Sequence, residues 1–101
     1  MAGRIIRSGE VARDLDDIFG DIYRNNGLAV AVAQMERLER TLDRLGDFPG
    51  LGRRRADISG RPFVFPTPPW TIVYDVAGAD VHVLRIIDGR RDLGAALRGK
   101  S

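Results

Sequence analysis

The chain has 101 residues, 44% of them hydrophobic and 30% charged, with a formal net charge of +2; that is enough for one apolar core, too little for two, and too apolar for a disordered segment. There is no cysteine, which excludes disulfides, thiolate metal sites and cysteine nucleophiles together and fits a reducing compartment. No apolar run is long enough to span a bilayer, and the opening Met-Ala-Gly-Arg-Ile-Ile-Arg-Ser has no signal-peptide core, so a single cytoplasmic domain over residues 1–101 is expected.

Arg4-Ile5-Ile6-Arg7 is a short β-prone segment. Ser8 is placed as an N-cap, with Glu10 in the first turn that follows. Val11, Leu15, Ile18, Phe19 and Ile22 draw one face of an amphipathic helix, and Arg13 and Asp17 stand at i,i+4 on its wet side. Asn25-Asn26-Gly27 stops it. A second helix starts near Leu28, with a narrow apolar seam of Ala31, Met35, Leu38, Leu42 and Leu45 and a Glu36–Arg40 pair at i,i+4. Gly46 is expected just past its end, and Pro49 prevents continuation. The short link between the helices makes an antiparallel hairpin. The seam is too short to favour a coiled-coil dimer.

Phe48-Pro49-Gly50-Leu51-Gly52 is a turn, and an arginine-rich loop follows. Arg61 to Phe65 is predicted as a strand confined to a short run or an edge by Pro62 and Pro66. After Thr67-Pro68-Pro69, two alternating strands, Trp70–Ala77 and Asp80–Asp88, flank a Gly78-Ala79 turn. Setting Val76 opposite Val81 places Asp75 opposite His82, Tyr74 opposite Val83 and Ile72 opposite Arg85. Both faces of that hairpin are partly apolar, so one face covers the helices and the other is expected to meet a partner. The order β-α-α-β-β-β predicts an α+β fold, an antiparallel sheet shielded on one face by a helical hairpin.

Charge is unevenly spread. Residues 1–52 hold 7 Arg and 9 Asp or Glu, a net −2, whereas residues 53–101 hold 9 Lys or Arg and 5 Asp, a net +4. The candidate partner-binding residues are therefore Arg53, Arg54, Arg55, Arg61, Arg85, Arg90 and Arg91, whose planar forks suit carboxylate or phosphate. Arg85, within an apolar strand face, needs a specific partner; Asp57 and Asp92 are the internal candidates. His82 is the only histidine, a poor start for a metal site or a nucleophile relay. Its expected role is structural, as a cross-strand pair with Asp75.

Three stretches, Asp47-Phe48-Pro49-Gly50-Leu51-Gly52-Arg53, Trp70-Thr71-Ile72-Val73-Tyr74 and Val83-Leu84-Arg85-Ile86-Ile87-Asp88-Gly89-Arg90-Arg91-Asp92, come in this order behind two helices. In that arrangement the chain resembles a ParE-type toxin of the RelE/ParE superfamily of bacterial type II toxin–antitoxin modules. Asp88 stands where the family usually has His, and Asp75 where it often has a basic residue. The resemblance implies a toxin that inhibits DNA gyrase and replication, with no catalytic residue, no metal and no cofactor of its own. It also implies a cognate antitoxin as partner and a toxin–antitoxin hetero-oligomer. The alternative is a ribosome-dependent messenger-RNA endonuclease of the RelE type. That branch needs cations and an acid or base around the scissile phosphate. Here Pro62 to Phe65 supply no lysine, Thr71 stands at the position of the third-strand arginine, and Leu97 at that of the tyrosine; Arg91 alone matches.

Overall fold

The computed structural model describes residues 3–89 and 93–98. In chain order the elements are β1 (Ile5–Arg7), α1 (Gly9–Asn26), α2 (Leu28–Asp47), a 3-10 turn (Pro49–Leu51), β2 (Arg53–Arg54), β3 (Phe63–Thr67), β4 (Trp70–Ala77), β5 (Asp80–Asp88) and α3 (Leu93–Arg98). The architecture is the expected α+β one, a helical hairpin on a sheet of order β1-β5-β4-β3-β2. Two elements escaped the sequence reading: β2, of two residues, and α3, of six. Both are too short for hydrophobic periodicity to register.

The hairpin is jointed by a single residue. Gly27, at φ 89°, closes α1 by donating its N–H to the Tyr23 carbonyl and opens α2 by accepting from Ala31. Left-handed backbone of this kind is open to glycine at little cost. From α1 comes Val11, and from α2 come Leu38, Leu42 and Leu45, all fully buried against Ile72, Tyr74, Val81 and Val83 of the sheet. Gly46 is not the expected residue past the helix end. It lies within α2, which is capped at Phe48, and a Cβ there would come 2.9 Å from Ile5 Cδ1. The missing Cβ leaves room for the Ile5 side chain of β1 against α2.

The sheet is mixed. Strands β3 to β5 are antiparallel neighbours, as expected, and the unforeseen β2 adds antiparallel to β3, but β1 pairs with β5 in parallel, Ile5 to Arg7 against Val81 to Val83. The intervening helices give the long connection that parallel neighbours need. Strand β3 runs two residues later than predicted, Phe63–Thr67, because Pro62 has no N–H for the ladder while Pro66 sits near the end of the strand, past the two residues that β2 pairs.

The β4–β5 register holds from Ala77 to Tyr74, with Val76 opposite Val81, Asp75 opposite His82 and Tyr74 opposite Val83. A β-bulge then intervenes, and the expected Ile72–Arg85 pairing gives way to Val73 opposite Arg85 and Ile72 opposite Ile86. An inserted residue, Leu84, flips everything beyond it to the other face. Ile86 thus joins the helix-side core, while Ile87 joins Val73 and Val64 on the far side. That far face is not left open as predicted. Leu93, Ala96 and Leu97 of α3 pack on it with Leu84, because a strand pair apolar on both faces needs cover on both.

Strand β1 reaches only to Val83, and the edge of β5 beyond it is closed by α1. Ser8 donates its N–H to the Val83 carbonyl at 3.0 Å and its hydroxyl to the Leu84 carbonyl at 2.8 Å. Its side chain does not cap α1, because it is already committed to the strand. Six residues on, the Asp14 carboxylate accepts the Ile86 N–H at 2.9 Å. Neither expected helical pair, Arg13–Asp17 or Glu36–Arg40, is among the ion pairs of the described residues. Exposed pairs of this spacing contribute little; among the surface pairs that do form, Arg24–Asp21 lies within α1 and Arg7–Glu39 ties β1 to α2.

Candidate interaction site

The seven candidate arginines fall into three groups. Arg85 belongs to the interior. Its Nε and Nη2 donate to both oxygens of Asp14, at 2.8 and 2.9 Å, and the Asp14 residue is only 8% exposed. The hydrogen bonds to Asp14 hold the Arg85 guanidinium above its ordinary pKa. Among the described residues the internal partner is thus Asp14, not Asp57. The bulge turns Arg85 towards α1, and Asp57 is already held by Arg55, at 2.8 and 2.7 Å; Asp92 lies outside the described residues.

The second group is the loop from β2 to β3. Arg55 binds Asp57 side by side, and the Arg55 guanidinium holds that carboxyl well below its usual range, at about 2. The loop closes on itself through Arg55 N–H to Pro62 O at 2.8 Å and Arg61 N–H to Ile58 O at 2.8 Å. Ile58 is buried beneath it. Arg54 lies over the Phe63 ring, 4.4 Å from its centroid, and donates to the Arg61 carbonyl at 2.8 Å. Arg53, Arg54 and Arg61 are exposed. These three present their charge outward; Arg55 and Arg85 do not. The third group, Arg90 and Arg91, lies outside the described residues.

Before the loop, the turn is fixed from below. The buried Tyr74 hydroxyl donates to the Pro49 carbonyl at 2.6 Å and accepts the Gly52 N–H at 2.8 Å. Burial pushes the Tyr74 hydroxyl pKa up. A Cβ on Gly52 would lie 2.4 Å from that hydroxyl, so no other residue fits. On the turn, Phe48 is 62% and Leu51 41% exposed.

The helical hairpin has its own surface. Tyr23, Leu28, Val30 and Val32 are exposed at its joint, and Phe19 stacks on Tyr23. A shallow apolar groove runs along it, lined by Phe19, Val32 and Met35 with Glu36, Glu39 and Arg40 at the rim. On the far side of the sheet a cavity of about 740 Å³ lies between α1, the loop at Ser59–Gly60 and α3.

Asp75 and His82 stand opposite one another, and the Asp75 carboxylate accepts the Val76 N–H at 3.0 Å. Thr71 is buried, and Leu97 packs in the far-side apolar cluster. Among the described residues no group of three or more His, Asp or Glu converges as a metal site, and no helix is long and apolar enough to cross a membrane.

Two positioning residues were missed in the sequence. Asp14 lies between Val11 and Ile18 on the apolar stripe of α1; an acid in a helix stripe and an arginine in a strand face each break the pattern, and together they identify a buried pair. Arg37 donates to Thr67 Oγ1 at 2.9 Å and Pro68 O at 2.8 Å and lies 5.3 Å from the Trp70 ring centroid. It clamps α2 to the β3–β4 connection, and no sequence spacing signals it.

A family model described as ParE toxin of type II toxin-antitoxin system, parDE, matches residues 5–93. Toxin ParE3 of Caulobacter vibrioides is 46% identical over 99 residues, covering 98% of this chain and 99% of that one. A chain of the solved structure titled Chromosomal ParDE TA system from P. aeruginosa has the same fold, with a TM-score of 0.74 at 19% identity over 86% of this chain and 96% of that one.

Proposed function

The chain belongs to the ParE toxin family of type II toxin–antitoxin systems, and on that premise we propose that it arrests growth by inhibiting DNA gyrase in the cytoplasm until a cognate antitoxin neutralises it. The family match across residues 5–93 carries the reading. The residues at the ribonuclease positions support action by binding rather than by RNA cleavage. Thr71 is buried in β4 and Leu97 sits in an apolar cluster, and neither can protonate a leaving group or stabilise a phosphorane.

The partner surfaces divide by chemistry. The hairpin groove, with an apolar floor at Phe19, Val32 and Met35 and charged rims, suits the apolar face of an antitoxin helix. The outward arginines Arg53, Arg54 and Arg61 suit an acidic partner. Arg85 holds β5 to α1 through Asp14, and Arg90 and Arg91 extend the basic surplus of the sequence.

Purified protein added to a gyrase supercoiling assay and to a cell-free translation assay tests the proposal. Supercoiling is inhibited and translation proceeds. Blocked translation with intact supercoiling would replace this reading with the endonuclease one.

A further inference from the structure

We propose that the Phe48–Gly52 turn and the β2 strand after it form the surface that engages the toxin's target, and that this surface takes an acidic polypeptide segment carrying apolar side chains. The inference rests on the gyrase reading and goes beyond it by naming the contact.

Rigidity is the first argument. Phe48 and Leu51 are large apolar side chains held outward, yet the turn that carries them is tied at both ends to a fully buried tyrosine. Gly52 permits that approach and nothing larger does. Apolar side chains on a fixed turn lose little freedom on binding, which is the condition for a few residues to dominate an interface.

Charge is the second. Arg53 and Arg54 follow Leu51 directly after Gly52, on the outermost strand of the sheet. Arg54 is preorganised by its ring contact with Phe63 and its bond to Arg61 O. The nearest acid along the chain, Asp57, is already bound by Arg55, and the acid before the turn, Asp47, is exposed at the end of α2. An edge of two arginines repels a second copy of itself and selects carboxylates. It is a poor phosphate track. Beside it Arg55 is bound to Asp57, and the large exposed apolar side chains of Phe48 and Leu51 offer a phosphate backbone nothing. The hairpin groove lies on other elements and is left to the antitoxin.

Two double variants test this, Phe48→Ser with Leu51→Ser, and Arg53→Glu with Arg54→Glu. Each is measured for thermal melting, affinity for gyrase holoenzyme, affinity for linear duplex DNA alone, and affinity for the antitoxin co-expressed from the adjoining reading frame. Both should melt near wild type, lose roughly thirty-fold or more in gyrase affinity, as loss of dominant interface residues does, and keep antitoxin binding. Unchanged gyrase affinity, loss of antitoxin binding instead, or loss of DNA binding by the same factor would each overturn the proposal. Failure of the gyrase reading is separately visible, as a wild-type protein that arrests growth without inhibiting supercoiling. Growth arrest then decides the surface, and variants that still arrest growth overturn it.

Discussion

Arg85 and Arg53 are the same residue type in the same basic half of the chain, and the fold uses them in opposite ways. Arg85 is bound by two oxygens of Asp14 across the β5–α1 junction, where the carboxylate also accepts a backbone N–H. Arg53 stands on an edge strand with its charge in solvent. Burial, not composition, separates an arginine that holds the fold from one that meets a partner. The first kind is costly to leave unpaired; the second changes association more than stability.

The sharpest way to break the contrast is Asp14→Ala. It strands the Arg85 guanidinium and the Ile86 N–H together, and the expected loss is about 3–5 kcal/mol in urea unfolding. A companion Asp14→Ala/Arg85→Met variant should recover part of it, because removing both charges relieves the unpaired cation. A double variant as unstable as the single one would mean that the backbone bond, not the ion pair, carries the effect.

Next in size is the turn beneath the outward arginines. Tyr74→Phe removes one donor and one acceptor contact and should cost about 1–3 kcal/mol, with faster hydrogen exchange at Gly52. Gly52→Ala should destabilise as well, since its Cβ overlaps the Tyr74 hydroxyl.

Smaller still are Arg53→Ala and Arg61→Ala. Both should stay within about 0.5 kcal/mol of wild type in stability, while inhibition of gyrase weakens and the effect shrinks as salt rises. If either melts markedly lower, the division between supporting and outward arginines fails.

The smallest effect is electrostatic. Asp57 is depressed by Arg55 from its ordinary 3.8 to about 2. A carboxyl lowered in the folded state adds stability above its unfolded pKa and loses it as pH falls through the folded one. The loss should therefore fall between about pH 4 and pH 2, and it should be slight for so exposed a pair. A carbon-detected NMR titration should place the Asp57 midpoint near 2 and return it towards 3.8 in Arg55→Ala.

Much of the fold was legible because local chemistry and tertiary need agree. Asn25-Asn26-Gly27 ends α1 and Gly78-Ala79 joins β4 to β5 where the turn residues say. The bulge was not legible. Across Leu84-Arg85-Ile86-Ile87 both faces are apolar, so a one-residue slip changes which residues are buried without breaking the pattern. The parallel pairing of β1 follows from a contact 76 residues away and leaves no trace in three residues of sequence. For the candidate site, the sequence located the basic half but could not say which cations were already bound, because Asp14 lies 71 residues from Arg85.

The placement of β1 beside β5 orders events at birth. The first strand has no sheet neighbour until the last strand has been synthesised, and Ser8 and Asp14 likewise wait for Leu84 to Ile86. A nascent chain can form its helical hairpin early, but the sheet edge stays unsealed until β5 has emerged. The outward turn is set sooner, by Tyr74. Closure of the fold therefore waits on β5, and a product truncated before that strand leaves the ribosome with β1 unpaired.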